Sequence, residues 1–400
     1  MQFVSKRLKK ISSSLTVRVS QKARDLKSQG IEIISLSSGE PDFDTPVHIK
    51  KKAIEAINNG FTKYTEVDGI KILKEAIKKK FLKENHLSYE LDQLTVGVGG
   101  KHVIYNLFMS SLDDNDEVII PAPYWVSYPD IVKLCGGKAI ILDTDLKDNF
   151  KISVKKLEKI INKKTKWIII NSPSNPTGSV YSKKELQEIA SILLVNKHVN
   201  ILTDDIYEHL LYDNIEFYNI LNVAPELYDR TFIVNGVSKA FSMTGWRIGY
   251  GAGNKILIKS MSKIQSQSTT NPSSISQMAA TEALNSEKTF LNDWLKKFDE
   301  RRNYVVNFLN NVSGLECYNP SGAFYIFVSC KDIMNKKSPK NELILNDIDF
   351  AEYLLNYARV AIVPGSAFGA SPFFRISYAS SMESLREACE NIKKAICTLK

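Results

Sequence analysis

An α/β fold, with a mostly parallel seven-stranded sheet sandwiched by helices and a smaller α+β unit assembled from both termini, follows from three features of the sequence. Apolar runs bounded by turn residues alternate with helical patterns from about residue 47 to about residue 290, and that alternation belongs to parallel sheets covered on both faces. The chain has 400 residues, more than one hydrophobic core ordinarily serves, so a second unit is expected. The two ends carry their own helical and strand-like patterns, which places the large domain at residues 47–290 and the small one at residues 1–46 and 291–400.

In chain order, a basic opening helix comes first. Strands are then expected at residues 94–98, 117–120, 139–142, 167–171, 200–203, 231–235 and 247–252. Most are closed by turn chemistry: LTVGV by glycines, EVII by PAPYW, WIIIN by SPSNPTG. Beyond them a long helix is predicted over residues 290–312, a strand-like stretch over 323–328 and a closing helix from Met382. Residues 331–346, rich in Lys, Asn, Ser and Pro, read as a surface loop. Ligands of such sheets gather at the carboxyl ends of the strands, and the motifs described below fall there.

Composition narrows the function. No segment approaches the apolar run of a membrane span. The net charge of +9 is spread over Lys-rich helix faces instead of gathered on one element, which argues against a nucleic-acid partner. Five scattered cysteines without a CxxC pair or a His cluster suit a reducing cytoplasm and no metal. The N-terminal stretch lacks the core of a secretory signal, so the expected localisation is cytoplasmic.

The chemistry concentrates in a few motifs. FIVNGVSKAFSMTGWRIGY, residues 232–250, puts Lys239 just after a strand among hydroxyls and few other charges. Loss of solvation there lowers an amine's pKa and frees it to attack an aldehyde cofactor. Asp204 closes an apolar strand, where a carboxylate can keep a pyridine nitrogen protonated, and Tyr207 three residues on can reach the ring oxygen. In NSPSNPTG, residues 171–178, two prolines fix a turn that holds the Asn175 amide toward cofactor and substrate. Gly97, Gly99 and Gly100 open a helix whose first amides face a phosphate, with Arg247 as a forked donor. Trp125 offers a flat face for stacking, and Arg375, flanked by apolar residues in FFRISYA, needs a carboxylate from the protein or from an amino-acid substrate.

Together with SLSSGEPDFDTP at residues 35–46 and KYTEVDGI from Lys63, these motifs resemble the class I pyridoxal-phosphate aminotransferases of fold type I, in the bacterial aspartate aminotransferase branch, over nearly the whole chain. The resemblance implies pyridoxal 5′-phosphate joined to Lys239, Asp204 on its ring nitrogen, Tyr207 and Asn175 on its ring oxygen, and Trp125 stacked on the ring. It places Gly99, Gly100, Lys101, Ser238 and Arg247 around the phosphate. Tyr64 would reach the site of a second copy, which implies a homodimer. Gly39 would offer its amide to substrate, Arg375 would clamp the α-carboxylate, and Lys101 and Thr16 would meet the distal carboxylate of aspartate. The implied reaction moves an amino group from aspartate to 2-oxoglutarate with ping-pong kinetics. Some members of this branch also aminate prephenate, a trait linked to a basic residue in the N-terminal segment. Here that stretch reads ISSSLT, with Ser12 at the position to watch and Lys9 and Lys10 as the nearest basic substitutes. Pocket shape selects the substrate, so an aromatic or alanine aminotransferase, or a lyase of the same fold, stays open at this point. A noncatalytic regulator fits poorly with a complete set of Lys239, Asp204, Asn175, Arg247 and Arg375.

Overall fold

The computed structural model describes residues 3–11 and 15–400; Ser12 and the side chain of Thr16 fall outside what it describes. The strands are β1 (Ile34–Ser35), β2 (Leu94–Gly97), β3 (Glu117–Ala122), β4 (Lys138–Asp143), β5 (Thr165–Asn171), β6 (Asn200–Asp204), β7 (Thr231–Gly236), β8 (Gly249–Ala252), β9 (Tyr325–Ser329), β10 (Val360–Ala361), β11 (Val363–Pro364) and β12 (Phe373–Ser377). Seven of them form one sheet in the order β2-β8-β7-β6-β5-β3-β4. β8 runs antiparallel to both neighbours and every other pairing is parallel.

Side chains alternate across a strand, and here both faces are apolar. Ile119, Ile168, Ile170, Ile201 and Ile233 join one core. Their neighbours Val118, Ile120, Ile169, Leu202 and Phe232 join a second core on the opposite face. A sheet buried on both sides exposes polar groups only at strand ends, so the carboxyl ends of β5, β6 and β7 are where charged residues can meet a ligand.

The C-terminal third contributes the antiparallel sheet β11-β12-β9 and the helices Phe290–Asn310 and Met382–Cys397. The N-terminal segment is stitched into it: β1 pairs in parallel with β10, Ile34 opposite Val360, and Leu36 accepts from the Ser377 amide at 2.8 Å. The opening basic stretch is a short 3-10 helix, Lys6–Lys10, followed by the helix Leu15–Ser28, whose Ala23 packs with Ile33, Leu355 and Ala361.

One expectation needs correction. The last strand of the large sheet begins at Gly249, not at residue 247, because Arg247 adopts the left-handed conformation (φ 58°) that ends the short helix Thr244–Trp246. Residues 331–346 form the expected surface loop, pinned where Lys337 bridges to Leu343 and where Ile333, Ser338 and Ile344 are buried. Among the described residues no helix is long and apolar enough to cross a membrane.

Candidate active site

A cavity of about 680 Å³ opens at the carboxyl ends of β5, β6 and β7, between the large sheet and residues 35–40. Asp204 ends β6 at its floor. Tyr128 donates to Asp204 Oδ2 at 2.6 Å, and Asn171, at the end of β5, donates to the Asp204 carbonyl at 2.9 Å. Asp204 Oδ1 receives only a 3.4 Å contact from the Ile206 amide, which leaves that oxygen for a ligand. Burial pushes the Asp204 carboxyl up to about 6, against the lowering effects of Tyr128 and Lys239. A cationic partner in the cavity would restore the carboxylate.

Lys239 follows β7. Its Nζ donates to the Gly39 carbonyl at 2.6 Å and lies 5.9 Å from the centre of the Tyr207 ring. Burial pulls this amine down to about 8; Glu40 opposes that effect, and Arg375 and Arg247 reinforce it. Tyr207 shares a 2.9 Å hydrogen bond with the Tyr325 hydroxyl.

Asn175 is fixed by its own turn, its amide donating to Asn171 Oδ1 at 2.9 Å. Its Oδ1 accepts from Arg375 Nη1 at 2.9 Å, which leaves the Asn175 Nδ2 donor for cofactor or substrate. Arg375 is 4 % exposed, its Nη2 donates to the Ser37 carbonyl at 2.9 Å, and its guanidinium lies 4.4 Å from the centre of the Tyr325 ring. Among the described residues no carboxylate pairs with it, and its buried Nε has no partner. Of the two partners expected for Arg375, the protein carboxylate is therefore ruled out within the described residues, because neutral oxygens take its place.

The start of the helix Gly100–Ser111 is shaped by glycine. Gly99 (φ 82°) caps the helix Gly100–Ser111, and a Cβ there would stand 2.4 Å from Arg247 Nη2. On Gly249 it would stand 2.2 Å from the Gly100 amide nitrogen. Only glycine at both positions lets β8 and the guanidinium approach the helix start, whose first amides have no intrahelical acceptor. Lys101 Nζ sits 5.1 Å from the centre of the Trp125 ring; burial and then Arg247 lower its pKa.

Gly39, Gly100, Lys101, Trp125, Asn175, Asp204, Tyr207, Ser238, Lys239, Arg247 and Arg375 all line the one cavity. Gly99 stands behind Arg247. Tyr64 is 88 % exposed and lines no part of it. The sequence reading missed Tyr128, Asn171 and Tyr325, which hold the named residues in place, and Glu40, whose carboxylate accepts from Thr244 and opposes the effect of burial on Lys239. Tyr128 was visible in PAPYWVSYP as a second aromatic beside Trp125, to which it packs edge-on at 5.2 Å. Beneath the floor, Glu84, Glu208 and His209 come together with the spacing of a metal site, but Lys80 pairs with Glu208 and Lys288 with Glu84. Asn85 and Asn235 also donate to Glu208, so the group is an ion-pair network that ties the Asp204–Tyr207 turn to the strand leading to Lys239.

These groups complement pyridoxal 5′-phosphate: the amine its aldehyde, Asp204 Oδ1 its ring nitrogen, and the Gly100 helix start with Arg247 its phosphate. Fold and cavity thus define a pyridoxal-phosphate-dependent aminotransferase. A model of the family Aminotransferase class I and II matches residues 31–392, and the chain belongs to that family. It is 55% identical over 395 residues to the "Probable aspartate/prephenate aminotransferase" of Rickettsia felis, covering 99% of this chain and 97% of that protein. It is 49% identical to the aspartate aminotransferase of Rhizobium meliloti, covering 97% and 95% of the two chains. Among solved structures, the aspartate aminotransferase from Rhizobium meliloti superposes with a TM-score of 0.97 at 48% identity over 100% of both chains. The Thermus thermophilus enzyme with maleate superposes at 0.92 and 40% identity, over 99% of this chain and 100% of that one.

Proposed function

We propose that this aminotransferase reversibly transfers the amino group of L-aspartate to 2-oxoglutarate, giving oxaloacetate and L-glutamate. The observation that carries the reading is the buried Arg375 guanidinium, unmatched by any described protein carboxylate, in one cavity with a second cation, Lys101. Two anion anchors suit a dicarboxylic substrate. Relatives named as aspartate aminotransferases, and a structural neighbour described with the dicarboxylate maleate, support it.

Bound at Asp204 and the Gly100 cradle, pyridoxal phosphate supplies an aldehyde that takes up the amino group and a pyridinium that draws electrons from the substrate's α carbon. Arg375 and Asn175 fix the α-carboxylate, which sets the direction of the Cα–H bond. Lys239 Nζ, an amine already pulled toward neutrality, takes the proton from Cα. Tyr128 steadies the Asp204 carboxylate by its hydrogen bond to Oδ2, and Tyr325 holds Tyr207.

Further features belong to the same reading. Tyr64, exposed here, completes the site of a second copy in a homodimer; the assignment of Thr16 to the distal carboxylate with Lys101 rests on the resemblance, its side chain lying outside the described residues. Residues 1–46 and 291–400 act as a small domain that closes on the large domain at residues 47–290, with Gly39 and Arg375 on its edges. Five free cysteines, four of them buried, suit the cytoplasm. A second activity on prephenate is favoured by the name of the Rickettsia felis relative; Ser12, which bears on it, lies outside the described residues.

Initial rates with both substrates varied should give parallel reciprocal plots and oxaloacetate as product. Turnover of alanine or an aromatic amino acid with none of aspartate would move the assignment to those substrates.

A further inference from the structure

We propose that Arg24, with Lys27 three residues on, is a second anion anchor at the cavity mouth. It selects dicarboxylic substrates whose distal carboxylate lies farther from the α carbon than that of aspartate. The inference rests on the reading that this cavity takes amino and 2-oxo acids.

The helix Leu15–Ser28 is seated by Ala23, buried against Ile33, Leu355 and Ala361. Positions 24 and 27 lie one turn apart on a helix and share a face. Both line the same cavity as Lys239 and Arg375 while remaining exposed to solvent, so they stand at its outer edge.

Charge balance gives them a use. Six basic side chains, Arg24, Lys27, Lys101, Lys239, Arg247 and Arg375, line the cavity against two carboxylates, Glu40 and Asp204. A phosphate beside Arg247 and an α-carboxylate on Arg375 still leave the cavity net positive, with Arg24, Lys27 and Lys101 as the cations not yet matched. Among the described residues neither Arg24 nor Lys27 forms a salt bridge. The nearest acid in sequence, Asp25, instead accepts from the Gln21 amide at 2.7 Å. Arg24 Nη2 donates to the Gln21 Oε1 atom at 2.7 Å. That neutral contact orients the guanidinium without cancelling its charge and leaves its other donors for a carboxylate. A surface arginine is ordinarily a solvated charge, but on the wall of a cleft with an excess of one sign its field is focused on what enters.

Lys101 sits against Trp125 in the same cavity, and the aspartate reading places the short distal arm there. A longer or cyclic dicarboxylate would carry its second anion past Lys101 toward the rim, and the first forked cation there is Arg24.

The test uses the pyridoxal-phosphate-loaded enzyme and three unreactive dicarboxylates of increasing length, succinate, glutarate and adipate, titrated calorimetrically. Arg24→Gln should weaken adipate about tenfold and succinate less than about twofold, with glutarate between them and Arg24→Lys restoring part of the loss. Lys27→Gln should act in the same direction with a smaller effect. Equal weakening of all three acids would reduce the residue to a general field effect and overturn the inference. An unchanged length profile would overturn it too. Whether the parent enzyme turns over aspartate is read separately, so failure of the aspartate assignment and failure of the Arg24 assignment give different results.

Discussion

The floor and the rim of the cavity are built to different standards. On the floor, Asp204, Asn175 and Arg375 are each less than 10 % exposed and are held by named hydrogen bonds from other strands and turns. The Lys80–Glu208 pair secures the turn from below. On the rim, Arg24, Lys27 and Glu40 are exposed, and Arg24 is steadied by a single neutral amide. Transferring a proton at a fixed carbon demands the first kind of construction, because small displacements of reacting groups cost rate steeply. Accepting substrates of different length tolerates the second. The comparison teaches that the residues facing the cofactor pocket are fixed by the sheet and its turns, while the helix Leu15–Ser28 and residues 35–40 bring exposed charges to the same cavity.

That contrast can be broken, beginning where the effect should be greatest. Lys239→Ala removes the proton-carrying amine and should cut kcat by about 10⁴-fold or more with an unchanged far-ultraviolet spectrum. Substantial remaining turnover would dissolve the special status of the floor. Lys80→Met strips the partner from buried Glu208 and should cost roughly 3–5 kcal/mol in denaturant unfolding; a loss below about 1 kcal/mol would mean the network does not brace the site.

A pH experiment sharpens the point in the cofactor-free protein. Lys239, held down to about 8 in the fold, binds its proton less readily there than in the unfolded chain. Below pH 8 its burial destabilises the fold, by at most about 3 kcal/mol, and the penalty is relieved as pH rises through roughly 8 to 10.5. Cofactor-free Lys239→Ala should therefore be the more stable form at pH 7, and its advantage should shrink over that window. An advantage independent of pH would point to packing as the cause.

Arg375→Ala should lower kcat/KM for aspartate by roughly 10- to 150-fold, mainly through KM, since it deletes a charge-assisted contact made before and during reaction. Arg24→Gln should change folding stability by less than about 0.5 kcal/mol, as a rim position should. A larger loss would show the rim to be part of the packed body.

The sequence was legible where one physical constraint dominates. Apolar runs bounded by turn residues marked all seven strands of the large sheet, and strand ends marked Asp204, Asn175 and Lys239. The start of β8 was misplaced because the left-handed turn at Arg247 is imposed by the approach of Gly249 to Gly100, a contact between segments about 150 residues apart. The supporting residues were hidden for the same reason. Tyr128 beneath Asp204, Tyr325 beside Tyr207 and Glu208 beneath the turn matter through partners distant in the chain, and their local sequence reads as ordinary core. Arg24 and Lys27 read as solvated helix charge until the fold placed that helix at the cavity.

The measurement that tests the central claim most directly is the absorption spectrum of the pyridoxal-phosphate-loaded protein, followed as L-aspartate and then 2-oxoglutarate are added. The visible band should fall with the amino acid and return with the oxo acid, showing both halves of the transfer on one enzyme. A band that aspartate leaves untouched, or a protein that forms none with added cofactor, would contradict the account.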